Sequence, residues 1–587
     1  MTCLVLRRRR RTRRTVSALA VLSLACGRTD FADQGDDEIG APTSTGGESD
    51  TSVDSSESES GESSSDDTTD TTDTTESTES TESSSETRGS TSTEESTEST
   101  ESTDTAESTD TAGSTDTAES TDTAESEDST DTGPIDECSA EALAGAFAPQ
   151  ELDGLDAPAV AVDILDLTAT IDFSPSETQA YASTILSFRV GEDGGMPVLD
   201  LRQDINLAIL DDQSIDAALL DRRDFGWGMD AGFRVLAVEL EPCSEHTLEL
   251  DYWLEIPDAP MAGGLQYLAA PLGLQFDSWS SDLNPGRYLE AWLPANLPFD
   301  RSPISLVLAL QDAEQPHTLL SNAEVEELSQ HQWLLEFPET TTAMAPLIVV
   351  QPTSDLEVVS GEHLAGNGQL IPYTVAKHAS VGQGLAQLEL ATRSYLDEFV
   401  ASTGDYPHPA MLAYISEDSR SMEYDGALTT KPQDLGHEVF HSWWARGLHP
   451  QTYADGWIDE AWTMYNTTAG WSFTVEPYDF VNILDEPAVL LYVDDPFFRD
   501  TVTESYWGGR RLFAGLAAIM GLDELRAAMA ELYELRMDED FLGWIDTETL
   551  EWHLYCASDS DTRVMDAFYR FVRGNEDLPP SLPPMCN

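Results

Sequence analysis

The chain has 587 residues and a formal net charge of −81, from 110 acidic against 29 basic side chains. That length exceeds one ordinary domain, and that charge excludes nucleic acid and anionic lipid headgroups as partners held by electrostatics. Residues 27–137 hold 35 acidic and 2 basic residues, a net of −33, and residues 138–587 keep −55, which reads as an acidic solvated shell suited to salty surroundings that screen its self-repulsion.

In chain order, residues 1–26 read as an export signal. Arg7 to Arg11, Arg13 and Arg14 supply the charged start, and Val16 to Ala25 a short apolar core that ends at Cys26. That core falls short of the roughly twenty residues a membrane-spanning helix needs, and no later apolar run is long enough, so no transmembrane segment is expected after cleavage. Leu22-Ser23-Leu24-Ala25-Cys26 resembles a bacterial lipobox, with Ser23 where a large aliphatic residue usually stands. The expectation is a lipid on Cys26 and residence at the bacterial cell envelope; plain secretion is the alternative.

Residues 27–137 are almost entirely Ser, Thr, Asp, Glu, Gly and Ala, with a six-residue repeat that begins at Ser102. So few apolar side chains cannot offset the entropy of ordering, and a disordered, self-repelling linker follows. As a flexible coil it would span about 60 Å, enough to hold a folded domain away from a membrane. The folded region contains Cys138, Cys243, Cys556 and Cys586. An even number in an exported chain suggests disulfides, and pairing 138 with 243 and 556 with 586 would staple each domain separately.

Residues 138–355 carry short alternating runs, such as Ile164 to Ile171, Ala182 to Val190, Val235 to Leu240 and Leu306 to Leu310, punctuated by Pro, Gly, Asn and Asp. This predicts an antiparallel β-sandwich or saddle-shaped sheet. Within 356–587 the period lengthens, predicting helices over 385–400, 434–445, 460–470, 510–520, 522–535 and 562–572. The fold class is therefore α+β, with a β-rich domain followed by a mostly helical one.

His437-Glu438-Val439-Phe440-His441 lies in the second of these helices. Histidines at i and i+4 project from one face, where their imidazoles can share a metal ion, and Glu438 lies on an adjacent edge where it can accept a proton from water. A catalytic zinc normally takes a third protein ligand, and Glu460 in Trp457-Ile458-Asp459-Glu460-Ala461-Trp462 follows His441 after eighteen residues. The alternative for Glu460 is a plain helix cap.

The sequence HEVFHSWW, with that spacing to WIDEAW, resembles the gluzincin zinc metallopeptidases of the aminopeptidase N family. The resemblance covers roughly residues 150–587 and is strongest over 420–510. It implies a thermolysin-like catalytic domain behind a β-rich one, one Zn2+ on His437, His441 and Glu460, and Glu438 as general base. Ser421-Met422-Glu423-Tyr424-Asp425-Gly426-Ala427-Leu428 is similar to the family's GAMEN element, which makes Glu423 the anchor for a substrate's free amino group. Tyr506-Trp507-Gly508-Gly509 resembles the family's Y-E-K-G, which makes Tyr506 the stabiliser of the tetrahedral intermediate. A solvated loop is the alternative for Glu423, and a buried aromatic for Tyr506.

Three departures stand out. Arg420 occupies the place of the first GAMEN glycine, only thirteen residues separate Glu423 from His437, and the family's large C-terminal helical domain is not expected after the catalytic helices. The function implied is hydrolysis of peptides at free amino termini. An endopeptidase or glycyl aminopeptidase-like enzyme on the same fold is one alternative, and a non-catalytic surface binding protein another. His449, Trp443, Trp444 and Trp457 read as core or rim residues.

Overall fold

A computed structural model describes Cys138, Cys586 and residues 157–575, apart from 175–178, 225–231, 255–263, 269–272, 278–287, 297–299, 419–420, 468–487, 493–501, 503 and 538–542. The export signal, Cys26, the acidic linker and Arg420 lie outside the described residues.

The largest sheet has eight strands: β1 (Val162–Ser174), β2 (Gln179–Val190), β3 (Ile205–Leu210), β4 (Gln213–Ile215), β5 (Glu245–Leu254), β6 (Ile304–Leu310), β7 (Glu324–Ser329) and β8 (Gln332–Phe337). Their order is β7-β8-β6-β1-β2-β5-β3-β4, antiparallel except between β6 and β1. Alternation dictates which face is buried. In β2, Ala180, Ala182, Thr184, Leu186, Phe188 and Val190 point inward, while Tyr181, Ser183, Ile185, Ser187 and Arg189 form the wetter face. Each large apolar side chain so buried contributes about 1.5–3 kcal/mol.

From Leu356 a second, mixed sheet forms: β9 (Leu356–Leu364), β10 (Leu370–His378), β11 (Met411–Ile415), β12 (Met422–Tyr424) and β13 (Ala427–Thr430), in the order β9-β10-β11-β13-β12. Periodicity did not predict these strands, and they matter because β12, the edge strand, carries Glu423. A cluster of Tyr288, Leu320, Met344, Leu347 and Val349 packs against Ala376, Leu412, Tyr414, Met422 and Tyr424. The β-rich half is thereby packed against the strands beside the site.

Among the described residues there are seven helices, the first between β10 and β11 and the rest after β13: α1 (Leu385–Ser402), α2 (Leu435–His441), α3 (Trp457–Thr467), α4 (Glu504–Met520), α5 (Leu522–Arg536), α6 (Thr547–Ala557) and α7 (Thr562–Phe571). Helices α1, α5 and α7 match the predicted spans closely at both ends, and α4 ends where predicted but begins earlier, at Glu504. Helix α2 stops at His441, short of the predicted end at 445, and α3 begins at Trp457, earlier than the predicted 460, and is described to Thr467; residues 468–470 of the predicted span lie outside the described residues. Helix α6 was not predicted, although Asp546 caps it by accepting from the Thr549 N–H at 2.7 Å. At the crossing of α3 and α4 a Cβ added to Gly509 would stand 2.3 Å from Ala461 Cβ, so only glycine permits that approach.

The chain pairs Cys138 with Cys243 and Cys556 with Cys586, at Cα separations of 5.4 and 5.5 Å. No described helix is long and apolar enough to cross a membrane.

Candidate metal centre and active site

Helix α2 brings His437 and His441 one turn apart with their Nε2 atoms 3.1 Å from each other. Glu460, in the first turn of α3, places Oε2 3.5 Å from His437 Nε2 and 3.8 Å from His441 Nε2. Donors bonded at 2.0–2.1 Å to one tetrahedral ion lie about 3.3 Å apart, so the three atoms are spaced as a zinc ligand set requires.

Hydrogen bonding fixes the tautomers in the same sense. The Thr467 hydroxyl donates to the Thr463 carbonyl at 2.6 Å, so it must accept from His437 Nδ1–H at 3.0 Å. His441 Nδ1–H donates to the Asp459 carboxylate. The two Nε2 atoms are left facing each other, an arrangement that repels for two neutral imidazoles unless a proton or a metal cation stands between them. The donor set therefore fits a metal ion.

The electrostatics show the same demand. Burial, and next to it His441, pulls His437 down to about 3, so its imidazole is neutral as a ligand must be. For His441 burial is outweighed by the carboxylates of Asp459, Glu423 and Glu460, which raise it well above the usual histidine value. Glu438 is pushed well above the carboxylate range, first by burial and then by Glu423 and Glu460. Glu438, buried among other carboxylates, holds a proton where positive charge is wanted.

Glu438 is 4% exposed, and its Oε2 has no hydrogen-bond partner among the described residues. A Glu423 oxygen, a Glu438 oxygen and a His441 nitrogen lie within 4.8 Å of one another. Glu423 is not on a solvated loop: it is buried on β12 and accepts from Arg446 Nη2 at 3.0 Å. Burial works against its charge, but His441 and Arg446 win and hold it below the usual range.

The structure thus brings together His437, His441, Glu460, Glu438 and Glu423. Tyr506 is half-buried in the first turn of α4, one turn before the Gly509 that abuts Ala461, the neighbour of Glu460. Trp443, Trp444, Trp457 and His449 are all buried. Sequence reading missed Asp459, Thr467 and Arg446. Thr467 carried a signal, since Thr463 and Thr467 follow Glu460 at i+3 and i+7 on one helical face.

A second polar constellation lies in the β-rich half. Ser244 Oγ is 2.7 Å from His246 Nε2, and His246 Nδ1 is 2.7 Å from Asp211 Oδ2. The Ser244 hydroxyl donates to the Glu241 carbonyl at 2.5 Å, so the imidazole donates to the serine instead of accepting its proton. That polarity suits a structural tie and not a nucleophile.

No protein-family model matches the sequence, and no curated protein matches it. Solved structures do. An M1 zinc metallopeptidase from Deinococcus radiodurans is 18% identical over 72% of this chain and 96% of its own, with a TM-score of 0.53. A mutant M1 zinc metallopeptidase from that organism, bound to a Tyr-ser-ala substrate, is 16% identical over the same shares at 0.52. Legionella pneumophila aminopeptidase A in complex with aspartic acid is 12% identical at a TM-score of 0.55, over 73% of this chain and 51% of its own. The fold implied by the sequence resemblance is the fold observed.

Proposed function

We propose that this chain is a zinc-dependent aminopeptidase that hydrolyses the peptide bond next to a free amino terminus. The observation that carries the reading is the convergence of His437 Nε2, His441 Nε2 and Glu460 Oε2 within 3.8 Å of one another, beside the open, buried Oε2 of Glu438. Zinc held by those three residues supplies Lewis acidity and makes water a better nucleophile at neutral pH.

The remaining steps belong to side chains. Glu438 takes the proton of the attacking water and passes it to the departing amine. Glu423 accepts from the substrate ammonium and sets the register at one residue from the end. Tyr506 donates to the oxyanion as the carbonyl becomes tetrahedral, so Tyr506→Phe is expected to lower kcat by about 10²–10³ with little change in KM. Neighbours of the same fold that bind a tripeptide substrate and an amino acid support peptide substrates.

The test is cleavage of free and N-acetylated fluorogenic peptides with and without a zinc chelator. Chelator-sensitive cleavage of free peptides alone is expected. Equal cleavage of both classes would make the enzyme an endopeptidase, and zinc binding without cleavage a binding protein. We further read residues 27–137 as a tether from a lipid on Cys26 at the cell envelope. Incorporation of a labelled lipid precursor, lost in Cys26→Ala, is the expected result.

A further inference from the structure

Glu423 does not face the site alone. Arg446 meets it through Nη2 at 3.0 Å, and the two side chains are 1% exposed for Arg446 and 9% for Glu423. The guanidinium also lies in the field of Asp425, Asp459 and Tyr288. Arg446 Nε is buried without a partner among the described residues.

The backbone that delivers Arg446 is unusual. Immediately after α2 the Arg446 N–H donates to the His441 carbonyl at 3.0 Å, and the Leu448 N–H closes on the Trp443 carbonyl at 2.9 Å. Ala445 sits at φ +124°, a region that a residue with a Cβ adopts only under strain. A Cβ on Gly447 would lie 2.7 Å from Pro407 Cγ and 2.8 Å from the Trp443 carbonyl oxygen. The same strained, tightly packed turn that buries Trp443 and Trp444 therefore also buries a guanidinium beside Glu423. Stability does not explain the ion pair itself, because a well-packed apolar pair usually serves at least as well as a buried ion pair.

A carboxylate offers about four acceptor positions, and Arg446 occupies one, on Oε1. We propose that Arg446 is a positioning residue that fixes the Glu423 carboxylate so that its remaining lone pairs receive the substrate's amino group; selection for a free amino terminus then depends on Arg446 acting through Glu423. The inference rests on the aminopeptidase reading above.

The experiment compares the zinc-loaded full chain with its Arg446→Met, Arg446→Lys, Glu423→Gln and Arg446→Met/Glu423→Gln variants. Binding of L-leucinamide and N-acetyl-L-leucinamide is measured by calorimetry, together with kcat/KM on free and acetylated peptides and zinc content. Arg446→Met is expected to weaken L-leucinamide and lower kcat/KM on free peptides about 10–100-fold, with the acetylated ligands unmoved. Arg446→Lys should restore part of the loss, and the double variant should match Glu423→Gln alone, since residues acting through one another are not additive. Unchanged or tighter L-leucinamide binding in Arg446→Met, an additive double variant, or loss of zinc in Arg446→Met would each overturn it. A wild type that treats free and acetylated ligands alike would instead sink the aminopeptidase reading itself.

Discussion

Replacing Glu438 by glutamine removes a basic oxygen and keeps the shape, which separates proton transfer from metal binding. We expect Glu438→Gln to retain zinc and lose about 10²–10⁴-fold in kcat, measured beside metal content; near wild-type turnover would refute the general-base role. Asp459 acts through the His441 ring that its carboxylate orients. Asp459→Asn should weaken zinc about 10–100-fold in a competition titration while leaving the fold intact. His437, Glu438 and His441 were legible in the sequence because helical period is a local property, and Glu460 because its eighteen-residue spacing from His441 resembles a known zinc-peptidase pattern. Arg446 was not, because its partner lies 23 residues earlier on another element and only folding sets the distance.

At the scale of elements, the site depends on how closely α3 can approach α4. Gly509→Ala would drive a Cβ into Ala461, next to Glu460. We expect a loss of about 1–3 kcal/mol in denaturant unfolding, with reduced zinc occupancy because α3 must retreat; an unchanged midpoint would show that the helices part freely. Helix α2 ends early for a tertiary reason. Trp443 and Trp444 are good enough helix formers to extend the predicted span, but both are buried and the chain turns at Ala445 to bury them. The strands of the second sheet escaped sequence reading in part because β12 and β13 hold three and four residues, too few to display a period.

At the scale of the whole molecule, charge and buried acids govern stability. Residues 138–587 carry a net −55, so added salt should raise the thermal midpoint by screening repulsion. Glu290 is 3% exposed, and burial, then Asp200, lifts its carboxyl to about 7 from an ordinary 4.5. The folded state thus holds a proton that the unfolded state has lost: this contribution is fully present below about pH 4.5 and is lost as pH rises through about 7. Glu290→Gln should flatten the decline in stability over that window by about 1.4 kcal/mol per pH unit, read from chemical denaturation at several pH values; an unchanged slope would show that Glu290 is ionised in the fold. By itself the sequence determined the α+β class and the helix that carries the His437–His441 pair, because these follow from hydrophobic period and from chemistry repeated along a few turns, and it offered Glu460 through a spacing that resembles a known pattern. Only the tertiary structure decided that Glu423 is buried on an edge strand and held by Arg446, and that Thr467 and Asp459 set the imidazole tautomers. Those are contacts between elements, and burial supplies the low dielectric that gives them their strength.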